Sequence, residues 1–358
     1  MAFFNDHNHT MYSNLRLIDC INKPKALIDK AIQLGLSGLA ITDHEALSCH
    51  IEVNQYAKKI KENYPDFTIA LGNEIYLIDD RHPGQPYYHF ILIAKDANGH
   101  KLLRELSSKA WYNGYEDRGL FRVPLLKSEL NEIMTANCGK GHLIATTACM
   151  GGELSYALRG KAEMESCGLD AHMYQDQIIT FVNWCINTFG KDDFYIECAP
   201  SKNKDQIVVN KLLYQVADQY GLKMIPGTDS HYLSKDLRFA HKAYLNSKDG
   251  DREVDEFYEY AYLMDESEVR QLLHESFSDQ ATIDWLIANT EIMRQSIEFY
   301  DLTRPQKIPL VEVEKTSGFF AMDPKRYPTL WYINSLRALR GRSRSLRQCG
   351  KLFRCEQR

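Results

Sequence analysis

Six short apolar runs, separated in several places by segments with helical spacing, constrain this chain more than any other feature. LSGLAIT, FTIALG, HFILIA, HLIATTA, DFYIECA and KMIPGT read as buried strands of four to seven residues. Amphipathic patterns lie between several of them: PKALIDKAIQLGL, CHIEVNQYAKKIKENY, HKLLRELSSKAWYNG, QIITFVNWCINTFG and KDQIVVNKLLYQVADQYGL. In the first, Ala26, Leu27, Ala31, Ile32 and Leu34 share one broad face, and Gly35 supplies a helix stop. Repeated β-then-α units with short loops favour an α/β fold with a parallel sheet, closed as a barrel or doubly wound. No glycine-rich phosphate loop follows any of the runs, so nucleotide-binding fingerprints are absent.

From about Asp255 the pattern turns all helical, in DESEVRQLLHESF and SDQATIDWLIANTEIMRQSI, and reads as a helical appendage. After Pro305 and Pro309 periodicity is lost. The final LRALRGRSRSLRQCGKLFRCEQR is rich in arginine and reads as a flexible tail, with a phosphate-touching arm as the alternative.

The 358 residues suffice for one large α/β domain or two smaller ones. A formal net charge of -5 excludes a global basic field that could hold long nucleic acid, so such binding needs a local patch or metal–phosphate contacts. The nine cysteines are scattered and lack C-x-x-C spacing, which fits free thiols in a reducing compartment. Polar residues begin at Asn5, and no apolar stretch approaches the roughly 18 residues of a membrane span. The expected setting is cytoplasmic, with no membrane partner.

The chemistry-bearing residues collect where the apolar runs end. His7 and His9, in HNHT, are two apart, and in a strand residues i and i+2 face the same side. Asp43 and His44 follow LAIT, Glu74 follows FTIALGN, Cys149 follows HLIATTA, and Asp229 and His231 follow KMIPGT. In barrels and open α/β sheets the reacting groups sit at the C-terminal ends of strands. Five strands thus deliver metal-ligand residue types to one edge. His89 opens its apolar run instead of closing it, and Asp19 lies in a loop where a helix cap is the ordinary role. His50, His100, His172, His241 and His274 fall in helical patterns as surface or satisfied residues, and His82 and His142 in loops. Arg118 and Arg122, in YEDRGLFR, are candidates for substrate phosphate against a plainer role in a solvated loop.

The series HNHTMYS, the Asp19 loop, AITDH, GNEIY, YYHFILIAKD, TTACMGGEL and GTDSHY closely resembles, in that order, the PHP (polymerase and histidinol phosphatase) domain of bacterial DNA polymerase III alpha subunits. HFILIAKDANGHKLLRELSSKAWYNGY and KDGDREVDEFYEYAYLMDESEVRQLL resemble the alpha-subunit version specifically, and the resemblance runs from about Phe4 to about Pro309. It implies a distorted seven-stranded (β/α) barrel, TIM-barrel-like, over residues 1–250. A helical extension over 251–310 resembles the segment leading into a polymerase core, and 311–358 is the tail. It also implies two to three divalent metal ions. His7, His9, Glu74 and Asp229 would hold the first, Glu74, His89 and Cys149 the second, and Asp19, His44 and His231 the third. Glu74, Asp229 and His44 would carry catalysis. Imidazole, carboxylate and thiolate together suit Zn²⁺, Mn²⁺ or Fe²⁺ better than Mg²⁺.

The implied activity is phosphoester hydrolysis, in the form of a 3′–5′ exonuclease on DNA 3′ ends linked to replication or proofreading, with other replication proteins as partners. A small-molecule phosphatase of the histidinol-phosphatase type and a non-catalytic, partner-binding role stay open. So does the choice between a natural stand-alone protein and a fragment of an alpha subunit. After the barrel region no D-x-D pair of aspartates reads as able to hold polymerase metals, so a polymerase site is not expected.

Overall fold

The computed structural model describes residues 3–15, 18–82, 84–247 and 256–305. The strands are β1 (Phe4–Asn5), β2 (Gly38–Ile41), β3 (Thr68–Ile78), β4 (Tyr88–Ala94), β5 (Tyr115–Asp117), β6 (Leu120–Arg122), β7 (Leu125–Leu126), β8 (Leu143–Thr146), β9 (Phe194–Cys198) and β10 (Lys223–Pro226). The helices are α1 (Pro24–Gln33), α2 (His50–Ile60), α3 (Ala97–Tyr112), α4 (Lys127–Ala136), α5 (Glu153–Ser166), α6 (His172–Phe189), α7 (Lys204–Tyr220), α8 (Arg238–Leu245), α9 (Glu266–Leu273) and α10 (Gln280–Gln295).

The main sheet runs β1-β2-β3-β4-β8-β9-β10, with β7 beside β3. Its ends meet just past β1 and β10, where Ser230 N–H donates to His7 O and His9 N–H donates to Ser230 O. Seven strands therefore form a nearly closed barrel, the architecture expected from the sequence.

One expectation fails: the sheet is not all parallel. β4 runs antiparallel to both β3 and β8. Only residues 79–87 join β3 to β4, and a parallel crossover needs about a dozen residues or more. β3 is also longer than a buried barrel strand needs, at 11 residues. Helices α4 and α5 fall where no helical pattern was assigned, since the buried apolar residues of α4 are only Leu130 and Met134.

Local signals account for the helix ends. Pro24 opens α1 where its missing N–H costs nothing. Asp96, Asn203, Asp265 and Asp279 cap α3, α7, α9 and α10 by accepting first-turn backbone N–H groups. The barrel interior is filled by Phe4, Ala40, Ala70, Ile91, Ile93, Ile144, Tyr195 and Ile225, and Met293 of α10 joins them. Thr290 Oγ1 accepts from Phe4 N–H and Asn289 donates to Met224 O. Helix α10 thus plugs the barrel at the N-terminal ends of β1 and β10, within one compact unit that extends to Thr303. The tail expected at 311–358 lies outside the described residues, as do residues 251–255 and 306–310 of the expected extension. The seven described cysteines are free thiols. Among the described residues no helix is long and apolar enough to cross a membrane.

His50 and His100 are buried, not superficial. His50 bonds Gly72 O at 3.0 Å through Nε2 and faces His100 Nε2 at 3.1 Å through Nδ1. Burial, then the neighbouring His100, pushes His50 down to about 3; burial, then Arg104, pushes His100 to about 4. Unfolded imidazoles take up protons near pH 6.5, so below that pH the unfolded chain binds more protons and stability falls as pH drops. The loss is about 2 kcal/mol per histidine between pH 6.5 and 5. His100→Gln is expected to keep roughly 4 °C more of its Tm than the parent on going from pH 7 to 5. Equal losses would show that this pair does not set acid stability.

Candidate metal centre

All nine expected donors converge at one end of the barrel. His7 and His9 lie just past β1, His44 past β2, Cys149 past β8, and Asp229 and His231 past β10. Glu74 sits within β3, whose extra length carries it to the rim, and an isolated bridge pairs it with His44. His89 is explained by the reversal of β4: an antiparallel strand presents its first residues where its neighbours present their last. Asp19 arrives from the loop before α1. Three non-glycine residues here adopt left-handed backbone, Glu45 (φ 50°), Ala148 (φ 57°) and Asp229 (φ 47°). Such strain, of order 1–3 kcal/mol each, gathers at functional sites.

The donor atoms fall into three groups, each within 4.8 Å: His7, His9, Glu74 and Asp229; Glu74, His89 and Cys149; and His9, His44 and His231. His7 Nε2 is 2.9 Å from Glu74 Oε2 and 3.2 Å from Asp229 Oδ1; His9 Nε2 is 3.1 and 3.0 Å from the same atoms. Glu74 Oε1 turns the other way, contacting His89 Nδ1 and lying 3.5 Å from His44 Nδ1. Cys149 Sγ is 3.7 Å from His89 Nδ1. The third group takes His9 where Asp19 was expected; Asp19 lies outside the three groups but touches two members of the third, its Oδ2 being 3.0 Å from His44 Nε2 and 3.2 Å from His231 Nε2. Glu74 therefore spans the first two groups.

Buried imidazoles ordinarily lose their protons, yet here the carboxylates prevail. Burial pulls His7 down, but Asp229 and Glu197 raise it well above the usual range. His44 is likewise raised against burial by Glu74 and Asp19. Burial pushes Glu74 and Asp229 up, but His44 and His89 hold the first, and His7 and His231 the second, well below the carboxylate range. Glu74 Oε1, Asp229 Oδ1 and His44 Nδ1 are buried atoms that complete no hydrogen bond. Lone pairs left over in a site of five imidazoles, three carboxylates and a thiol fit divalent cations of the zinc and manganese class.

Partners behind the donors fix their orientation, as metal sites require. His7 Nδ1 is 2.6 Å from Glu197 Oε1, whose second oxygen accepts from Thr146 Oγ1 at 2.7 Å. His9 Nδ1 is 3.1 Å from Ser13 Oγ, and Ser13 donates to Asp43. Asp43 also accepts from the Thr10 N–H and hydroxyl and from the Cys49 thiol. His231 Nδ1 is 2.7 Å from Asp229 O. Gly227 is required beside Glu197, because a Cβ there would sit 2.4 Å from Oε1.

Glu197, Tyr258 and His241 were not singled out as site residues from the sequence. The signal for Glu197 was available: in FYIEC it shares a face with Tyr195, which points into the barrel. Conversely, Arg118 and Arg122 stay outside the three groups. Arg118 is on the β5–β6 turn, bonded to Asp117 and Gln85 O, and both guanidinium groups lie over the Tyr87 ring. His172 and His274 are exposed. A cleft of about 590 Å³ opens beside the donors, lined by His89, Cys149, Asp229, Met150, Arg159 and Tyr260 among others.

A DNA-directed DNA polymerase of Bacillus phage SPbeta is 39% identical over 320 residues, covering 86% of this chain and 24% of the relative. DNA polymerase III subunit alpha of Borreliella burgdorferi is 28% identical over 243 residues, covering 65% of this chain and 18% of the relative. The chain thus spans about a quarter of the length of such relatives, or less. Among solved structures, an amidohydrolase from Chromobacterium violaceum aligns at 13% identity with a TM-score of 0.37, over 68% of this chain and 97% of that one. The PHP domain profile matches residues 6–201, more than half of the chain, and on that match the protein belongs to the PHP domain family.

Proposed function

We propose that this domain is a metal-dependent phosphoesterase that removes nucleotides from DNA 3′ ends. The observation that carries the reading is the donor set: eight ligand-type side chains in three groups, with Asp19 set against His44 and His231, and with buried donor atoms that complete no hydrogen bond. His7, His9, Glu74 and Asp229 would hold one ion, Glu74, His89 and Cys149 a second, and Asp19, His44 and His231 a third. Ions held there supply acidified water and neutralise charge growing on phosphoryl oxygens.

The protein's own residues set the stage for that chemistry. The left-handed turn at Asp229 aims its carboxylate at His7 and His9, and Glu197 fixes the His7 ring so that Nε2 faces the group. The 590 Å³ cleft falls within the range of about 300–1,000 Å³ usual for small-ligand sites, so it can take one terminal nucleotide. Arg159 on its wall offers a cation to phosphate, and Met150 and Tyr260 offer apolar surface to a base. Relationship to DNA polymerases favours DNA over a small phosphoester as substrate.

The test is digestion of a 3′-labelled single strand by chelator-free protein in Mn²⁺, with metal content measured by elemental analysis. Stepwise shortening with two to three ions per chain is the expected result. Bound ions with intact DNA would move the assignment to a small phosphate ester. Glu197→Gln is expected to weaken the His7-group ion about 10–100-fold in metal titration, since the amide cannot hold the His7 tautomer as the carboxylate does. Unchanged affinity would reduce Glu197 to packing.

A further inference from the structure

The Asp19 carboxylate, which contacts His44 and His231 of the third group, differs from the first group in what holds it. Partners of the first group, Glu197, Thr146, Ser13 and Asp43, all belong to the barrel and its loops. Asp19, by contrast, is gripped from beyond the last strand. Its Oδ1 accepts from the Tyr258 hydroxyl at 2.6 Å, leaving Oδ2 for His44 and His231. Its main-chain oxygen accepts from His241 Nε2 at 2.7 Å, from within α8. His231 is tied the same way, because its N–H donates to Ala261 O at 2.8 Å. Leu263 N–H donates to Tyr232 O, and the Tyr232 hydroxyl donates to Tyr258 O and Glu259 O. The Tyr258 ring packs edge-on to His231 at 5.3 Å and lies 5.1 Å from the His241 ring.

We propose that the third cation site is assembled by the segment after the barrel, with Tyr258 and His241 as positioning residues, so that cation binding there and docking of that segment stabilise each other. The proposal rests on the reading of the nine donors as metal ligands. A carboxylate free to rotate offers either oxygen to an ion. One whose Oδ1 is occupied by a phenol and whose main chain is pinned offers Oδ2 alone, in the direction of His44 and His231. Mutual stabilisation follows from linkage: if docking organises the site, the ion must favour docking by the same factor. The partners named for the first group come instead from the barrel and its loops.

Tyr258→Phe keeps the ring contacts and removes only the hydroxyl. In Mn²⁺ titrations followed by elemental analysis, this variant is expected to hold two ions as the parent does and the third about 10–100-fold more weakly. A second readout is independent of activity: Mn²⁺ should slow hydrogen exchange at the His231 and Leu263 amides in the parent, but not in Asp19→Asn. Equal third-ion affinity in Tyr258→Phe and parent would overturn the proposal, as would loss of all ions together or exchange indifferent to Mn²⁺. A parent that binds no ion overturns the ligand reading itself, a result distinct from two ions retained with an unaffected third.

Discussion

Asp229→Asn is expected to lower cleavage of a 3′-labelled DNA strand by about 10³-fold or more while leaving the fold intact. Asp229 Oδ1 lies 3.0–3.5 Å from nitrogens of His7, His9 and His231, so one oxygen serves much of the centre. The imidazoles keep this carboxylate ionised far below neutral pH despite burial, and an amide supplies no such charge. The fold should survive because asparagine is isosteric and tolerates the left-handed φ of 47° that this position adopts. Circular dichroism and elution volume check the fold, and the labelled strand checks the chemistry. Mutant and parent rates that agree would place the activity elsewhere, in another group or another protein.

Metal loading is expected to raise Tm by roughly 15 °C over the chelated protein. An ion at about 1,000 times its Kd adds about 4 kcal/mol to a native state that alone binds it, so two ions add about 8 kcal/mol. For a domain above 200 residues each kcal/mol is worth about 2 °C. The donors come from positions as far apart as His7 and His231, so an unfolded chain cannot gather them, and nearly all of the binding energy appears as stability. Thermal scans with Mn²⁺ or Zn²⁺ against chelator measure this. An unchanged Tm would mean that imidazolium–carboxylate pairs, not ions, are what this cluster was built to hold.

Much of the centre was legible residue by residue. The i, i+2 spacing anticipated that His7 and His9 would face one point, although both lie just past β1, and the rule that reacting groups follow strands picked out His44, Glu74, Cys149, Asp229 and His231. Side-chain alternation in FYIEC, which puts Glu197 on the face of Tyr195, would have found Glu197. His89 resisted because an all-parallel sheet was assumed; the short 79–87 connection, too brief for a crossover, carries the correct signal. The role of α10 was also hidden. Its apolar face reads like that of any surface helix, and only the closed barrel makes Met293 an interior plug.

What the sequence determined by itself is therefore local: which residues are strands, which ends carry donors, and which pairs share a face. These follow from covalent geometry and side-chain periodicity, which act over a few residues. The tertiary structure decided which donors meet. Closure of β1 against β10 sets His7 and His9 beside Asp229, the reversal of β4 brings His89 to Glu74, and the post-barrel segment lays Tyr258 on Asp19. The physical reason is that strand direction and barrel closure depend on connection length and on burial of apolar faces hundreds of residues apart, which no local pattern encodes.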